Sequence, residues 1–208
     1  MAVPSDRYYW NHNTAYHPWL VDIAARHRGN VLDVGCGDGL LAQRLAPLSR
    51  SVTAIDPDPV AVERAADRLA AHEHVDVSRS EFDTYDAGSR RFDVITFVAS
   101  LHHMDLRSSL AKARDLLTPM GEIAVVGLSA NKSVRDWVWA LMCLPGARLG
   151  SWWHAETRDI GLVVADPREG FDEIRRAAGD VLPGSTLRRA LYYRYLLRWT
   201  NQSIDCTA

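Results

Sequence analysis

The run Val31-Leu32-Asp33-Val34 leads directly into three glycines at alternate positions, Gly35, Gly37 and Gly39, and a helical pattern of leucines (Leu40, Leu41, Leu45, Leu48) starts at once. This reads as a buried strand, a tight loop clear of side chains, and a helix whose free N–H groups face that loop. A ligand can lie against bare backbone there. Asp33 puts an acid inside the strand, where a carboxylate suits a ligand carrying an ammonium or sulfonium cation. Asp56 ends the next apolar run and can accept from both hydroxyls of a ribose. His102 and His103 follow the strongest strand pattern of the chain. An imidazole near neutrality can take a proton from a hydroxyl, an amine or an activated carbon. The plainer alternative is that one of the two is buried and packs the turn.

Several elements must hold these residues. The pattern predicts strands over 31–34, 52–55, 74–77, 92–100 and 122–128. Between them it predicts helices over 40–48, from an Asp58 N-cap and Pro59 through Leu69, and along the face Leu106, Leu110, Ala113, Leu117. Strands alternating with helices imply right-handed crossovers, hence an α/β, doubly wound, mostly parallel sheet of Rossmann-like form. Ligands of such sheets bind at the carboxyl ends of the strands. The turn 118–121 is expected to be of type I, which spares Met120 a positive φ. An earlier helix over Leu20, Ile23, Ala24 and His27 is expected to end in a Gly29-Asn30 cap.

Both flanks are aromatic. Residues 5–17 hold Tyr8, Tyr9, Trp10, His12, Asn13, Tyr16 and His17, which fit either a lid over the glycine loop or rings packed on the domain edge. After residue 128 a helix over 136–144 carries Trp137, Trp139, Leu141 and Met142. An irregular stretch, 145–167, then holds Trp152, Trp153 and His154, and a helix runs from Phe171 to Ala178. The tail 186–199 supplies one or two strands antiparallel to the rest. Its arginines (Arg188, Arg189, Arg194, Arg198) read as one solvated strand face rather than an RNA surface.

Composition excludes several classes. A net charge of −2 over 208 residues advertises neither nucleic acid nor an anionic membrane as partner, and 47% hydrophobic content argues against disorder. Three scattered cysteines, Cys36, Cys143 and Cys206, without CxxC, suggest a reducing compartment and no metal site. No apolar leader is present, and the most apolar run, 137–144, is too short for a bilayer. The expectation is a soluble, cytoplasmic protein of one domain, with a lid and helix (1–28), a cofactor-binding core (29–128), a substrate-side insertion (129–170), and a C-terminal helix and strands (171–208).

Glycine spacing decides between two nucleotide readings. The nicotinamide fingerprint GxGxxG places its third glycine three positions after the second. Here it comes two positions after, and position 40 is leucine. Leu32-Asp33-Val34-Gly35-Cys36-Gly37-Asp38-Gly39 instead resembles the first motif of the class I S-adenosylmethionine-dependent methyltransferases. Asp56 falls at that family's ribose-binding acid with Pro57 beside the adenine, and Glu81-Phe82 falls where an Asp and a small apolar residue usually hold the adenine. Residues 92–100 resemble its fourth motif and 113–122 its fifth. The resemblance implies S-adenosylmethionine as cofactor, with no metal, held by Asp33, Gly35, Cys36, Gly37, Asp56, Pro57, Glu81, Phe82 and Ala99. It implies in-line methyl transfer with His102 and His103 facing the acceptor. Neither an Asn-Pro-Pro-Tyr motif nor paired metal-spaced acids follow the fourth strand. Aromatic flanks suit a small flat acceptor, an indole or phenol of a secondary metabolite, met by Tyr9, His12, Tyr16 and Trp152. The same tryptophans also fit a homodimer interface. A nicotinamide oxidoreductase and a non-catalytic partner subunit are the alternatives.

Overall fold

Apolar, β-branched runs form five parallel strands: β1 (Asn30–Val34), β2 (Ser51–Asp56), β3 (Val75–Arg79), β4 (Phe92–Val98) and β5 (Leu117–Leu128). A hairpin of β6 (Thr186–Ala190) and β7 (Arg194–Thr200) adds antiparallel to β5, giving the order β3-β2-β1-β4-β5-β7-β6. The computed structural model describes residues 9–132, 135–139, 141–143 and 167–202. Val31–Val34 are buried on both faces, so helices must cover both. Helices α1 (His17–His27), α2 (Leu40–Leu45) and α3 (Pro59–Leu69) cover one face, packing Leu20, Leu41 and Leu69 on Val31, Val52 and Val94. Helices α4 (Leu106–Leu116) and α5 (Phe171–Val181) cover the other, packing Leu110 and Ile174 on Leu32, Ile95 and Leu197. Alternate strand residues thus feed two separate cores, as the two-residue period of a strand requires.

Asp58 and Asp105 cap α3 and α4, accepting from the amides of Val60 and Ser108. Elsewhere the structure corrects expectation. The left-handed cap of α1 falls on Arg28 (φ 50°), not Gly29. Gly29 is needed for space: a Cβ there would lie 1.9 Å from Asp93 Oδ2, which accepts from Asn30 N. Helix α2 stops after Leu45, and residues 46–48, containing Pro47, continue as a 3₁₀ turn. Met120 does adopt positive φ, 64°. Its N–H donates to Asn201 O while Asn201 N–H donates to Gly121 O, so the end of β7 dictates the turn. Among the described residues no helix is long and apolar enough to cross a membrane.

The tail arginines are not one solvated face. Arg198 donates to both oxygens of the buried Glu122 carboxylate, at 2.6 and 2.9 Å. His27 Nε2 lies 3.1 Å from the same group, with Arg26 at 3.9 Å. Arg189 pairs with the buried Asp136 and lies over the Phe171 ring, and Arg194 donates to Asn13. Opposite register positions send Arg189 and Arg198 to opposite sides of the sheet, where different partners await them.

Candidate active site

The strand order reverses between β1 and β4, the switch point at which sheets of this kind bind ligands. A cavity opens there, lined by Asp33, Gly35, Cys36, Gly37 and Asp38 from β1 and its loop, by Val98 from β4, and by Tyr9, Thr14 and His17 from the N-terminal arm and α1. Its volume of about 80 Å³ far exceeds the roughly 10–15 Å³ a buried water needs. Polar ligand groups can therefore enter.

The loop is bare for steric reasons. Gly35 has φ 72°, and a Cβ there would sit 2.3 Å from Ser100 Cβ. Ser100 cannot retreat, because its hydroxyl donates to Val34 O at 2.6 Å. Gly35 and Cys36 both donate to Ile55 O, and Gly37 N–H donates to Asp56 Oδ2 at 2.9 Å. Asp56 Oδ1 accepts from Asp58 N. Asp56 thus holds the loop in shape while each oxygen keeps a further lone pair for a ligand.

Asp33 is the electrostatic centre. It is buried, and the Thr96 hydroxyl donates to its Oδ1 at 2.7 Å, while Oδ2 has no protein partner. Burial pushes its pKa up to about 7, the Thr96 hydrogen bond opposing and the Asp56 charge adding. A cation arriving beside Oδ2 would relieve that cost. Burial, reinforced by Asp33 and Asp56, pushes the Cys36 thiol up, so Cys36 brings backbone and bulk rather than a thiolate.

The arm divides its rings between two places. Tyr9 donates from its hydroxyl to Asp38 Oδ1 at 3.0 Å, closing over the glycine loop. Arg68 pairs with the other Asp38 oxygen at 2.8 Å and fixes it. Burial, then the Asp38 charge and hydrogen bond, push the Tyr9 phenol up, so it remains a donor. His12 and Tyr16 reach the β6–β7 turn instead. His12 stacks on Tyr192 with ring centres 4.6 Å apart, and the Tyr16 hydroxyl donates to Leu191 O. Trp152 lies outside the described residues, as do Tyr8, Trp153 and His154.

Other residues singled out in the sequence lie around the rim. Pro57 and Glu81 are exposed at the ends of β2 and β3. The Phe82 ring packs edge-on against Phe97 in the core, which leaves only its backbone for a ligand. Ala99 follows β4 with φ 52°, a non-glycine residue held in the left-handed region by its N–H bond to Val126 O. His102 and His103 form a 3₁₀ turn after β4, His102 buried and His103 exposed, with ring centres 4.2 Å apart. Sequence reading places His17 in the aromatic arm without assigning it a role. Its burial at the cavity follows from the path of α1, which no local pattern announces.

A family model described as a methyltransferase domain matches residues 32–123. An uncharacterised methyltransferase of Mycobacterium tuberculosis is 36% identical, over 91% of this chain and 96% of that protein. The chain belongs to the class I S-adenosylmethionine-dependent methyltransferases. Its cofactor is S-adenosylmethionine, and the oxidoreductase alternative falls. The N-methyltransferase NodS of Bradyrhizobium japonicum, solved with S-adenosyl-L-homocysteine, superposes with a TM-score of 0.62 at 20% identity over 92% of this chain and 88% of that one. An amino pentose methyltransferase of Micromonospora echinaspora gives 0.61 at 17%, over 94% and 99%. At such identities they attest the fold of this methyltransferase. Among its described residues, no group of three or more His, Cys, Asp or Glu could hold a metal ion.

Proposed function

We propose that this methyltransferase methylates a small-molecule acceptor of aromatic, phenol or indole type, and that Asp33, the Gly35–Gly37 backbone and Asp56 hold the cofactor. The observation that carries the cofactor site is the buried Asp33 carboxylate, half-bonded and turned to a cavity beneath a loop without side chains. When bound, the cofactor supplies an electrophilic methyl on a sulfonium. The protein's own residues then bind and align. Asp33 balances the ligand's positive charge, and Asp56 offers its remaining lone pairs to the ribose. Pro57, Glu81, the Phe82 backbone and Ala99 border the adenine and methyl sides. Alignment of a good nucleophile supplies much of such a rate.

The aromatic acceptor class is supported by Tyr9 at the cavity and by the rings of Trp10, His12, Tyr16 and Tyr192 that gather beside it. Within the histidine pair, His102 packs the turn. His103 has the solvent access that a proton acceptor needs. Removal of the acid limb of the pH–rate profile in His103→Ala supports that role, and an unchanged profile removes it.

Calorimetric titration with S-adenosylhomocysteine, followed by labelled methyl transfer to phenols, indoles and amino sugars, tests the reading. Saturable binding and a labelled phenol or indole are expected. Absence of binding refutes the cofactor site. Transfer to amino sugars alone refutes the acceptor class and leaves the enzyme class standing.

A further inference from the structure

The cavity holds a second buried polar group whose bonding is incomplete. His17, the first residue of α1, is 4% exposed, and its Nδ1 has no hydrogen-bond partner. It lines the same cavity as Asp33. Buried imidazoles that serve only packing normally have their ring nitrogens bonded, so an open one at a cavity wall calls for an explanation.

Other polar groups on that wall are already engaged. The Thr14 hydroxyl accepts from Asn11 N and donates to Asn11 O, and Asn11 Oδ1 accepts from the amides of Asn13 and Thr14. Asn13 Oδ1 accepts from Arg194, and the Tyr9 hydroxyl is taken up by Asp38. Asp33 Oδ2 and His17 Nδ1 remain as the buried open atoms of the described wall.

Their electrostatic surroundings are opposite. Burial, and then the charge of Arg44, hold His17 neutral, with a pKa lowered to about 3. A neutral imidazole still carries one N–H to donate, and the field of Arg44 favours an anion beside it. Asp33 favours a cation. One cavity that offers a donor in a positive field and a carboxylate fits a ligand end bearing both charges, an α-amino acid.

We propose that His17 binds the α-carboxylate of the cofactor's methionine moiety, opposite in charge preference to Asp33, so that the cavity selects the zwitterionic end of the ligand. The proposal rests on the methyltransferase reading above, and its test separates the two. Three probes are titrated calorimetrically into the whole protein: S-adenosylhomocysteine, its decarboxylated analogue, which keeps the amine, and 5′-methylthioadenosine, which lacks both groups.

The wild type is expected to prefer S-adenosylhomocysteine over the decarboxylated analogue about ten- to hundredfold, the scale of a charge-assisted hydrogen bond. His17→Ala should abolish that preference while the analogue and 5′-methylthioadenosine keep their own ratio. His17→Gln, which retains a donor, should recover part of it. Equal binding of S-adenosylhomocysteine and its decarboxylated analogue by the wild type overturns the proposal without any variant having to fold. So does an equal loss for all three probes in both variants. Failure of the wild type to bind any probe overturns the cofactor assignment, and this proposal with it.

Discussion

The hydroxyl of Thr96 donates to Asp33 Oδ1 at 2.7 Å, while Asp33 Oδ2, in the same buried pocket, has no protein partner. One hydrogen bond from a neutral hydroxyl does not replace the water that a carboxylate loses on burial. This half-satisfied acid makes the folded protein sensitive to pH where an ordinary aspartate would not.

In the unfolded chain Asp33 titrates near 3.9, and in the native protein near 7. Between these values the native state holds a proton that the unfolded state has lost, so stability falls as pH rises through that window. At about 1.4 kcal/mol per unit the total is on the order of a few kcal/mol. His17, with its lowered pKa, contributes the opposite slope below about 6.5. A comparison with Asp33→Asn isolates the aspartate. Thermal melts should show the wild type losing several degrees relative to the variant between about pH 5 and pH 8. Parallel curves would mean that Asp33 does not titrate there.

Asp56 serves loop and ligand together. Asp56→Ala leaves the amides of Gly37 and Asp58 without their acceptors, at a cost of about 1–3 kcal/mol where they stay dry. We expect a lower denaturant midpoint together with a loss of S-adenosylhomocysteine affinity of at least about tenfold. An unchanged dissociation constant would remove Asp56 from the cofactor site.

The Tyr9–Asp38 hydrogen bond holds the arm over the glycine loop. Tyr9→Phe deletes one part-buried bond, worth about 0.5–1.5 kcal/mol. Dissociation of S-adenosylhomocysteine should accelerate roughly two- to tenfold in stopped flow, with little change in melting temperature. If the off-rate does not move, the arm does not gate the cofactor.

Glu122 is the buried anion among Arg198, His27 and Arg26. Burial alone would raise its pKa, but the hydrogen bonds from Arg198 and His27 outweigh that and hold it below the usual range. Its stabilising effect is therefore present above about pH 4.5 and is lost as pH falls below that value. Glu122→Gln should cost about 2 kcal/mol at neutral pH, less than the 3–5 of a fully buried pair because Arg198 is 42% exposed. The difference from wild type should shrink in acid. A neutral effect on the denaturant midpoint at pH 7 would rule the cluster out as a source of stability.

The cofactor half of the site is legible in the sequence because it is local. Val31 to Gly39 carries strand, turn and acid in one stretch, and Asp56 ends the next apolar run. What is illegible depends on distant partners. The β6–β7 turn places Tyr192 and Tyr193 both at φ 59°, in a turn geometry that normally takes Asn-Gly. No local signal marks it. His12 stacking on Tyr192, and Arg194 bonding both Asn13 and Tyr192 O, hold it from the other end of the chain. Met120 is misread for the same reason, since Asn201 sets its φ. The arginine face fails because β6 and β7 turn alternate residues to opposite sides, and the acidic partner of each lies far off in sequence.

The Glu122 cluster also bears on time. It joins His27, 95 residues earlier, and Arg198, 76 residues later, across the middle of the sheet. Contacts at such separations close large loops, and we expect this one to form on the native side of the folding barrier. Its loss in Glu122→Gln should then steepen the escape from the native basin and leave the approach to it unchanged. In a chevron plot only the unfolding limb would rise. A slowed folding limb would place the cluster in the nucleus instead. On the expected outcome, the ion cluster that binds the first helix to the last strand sets how long each folded molecule survives.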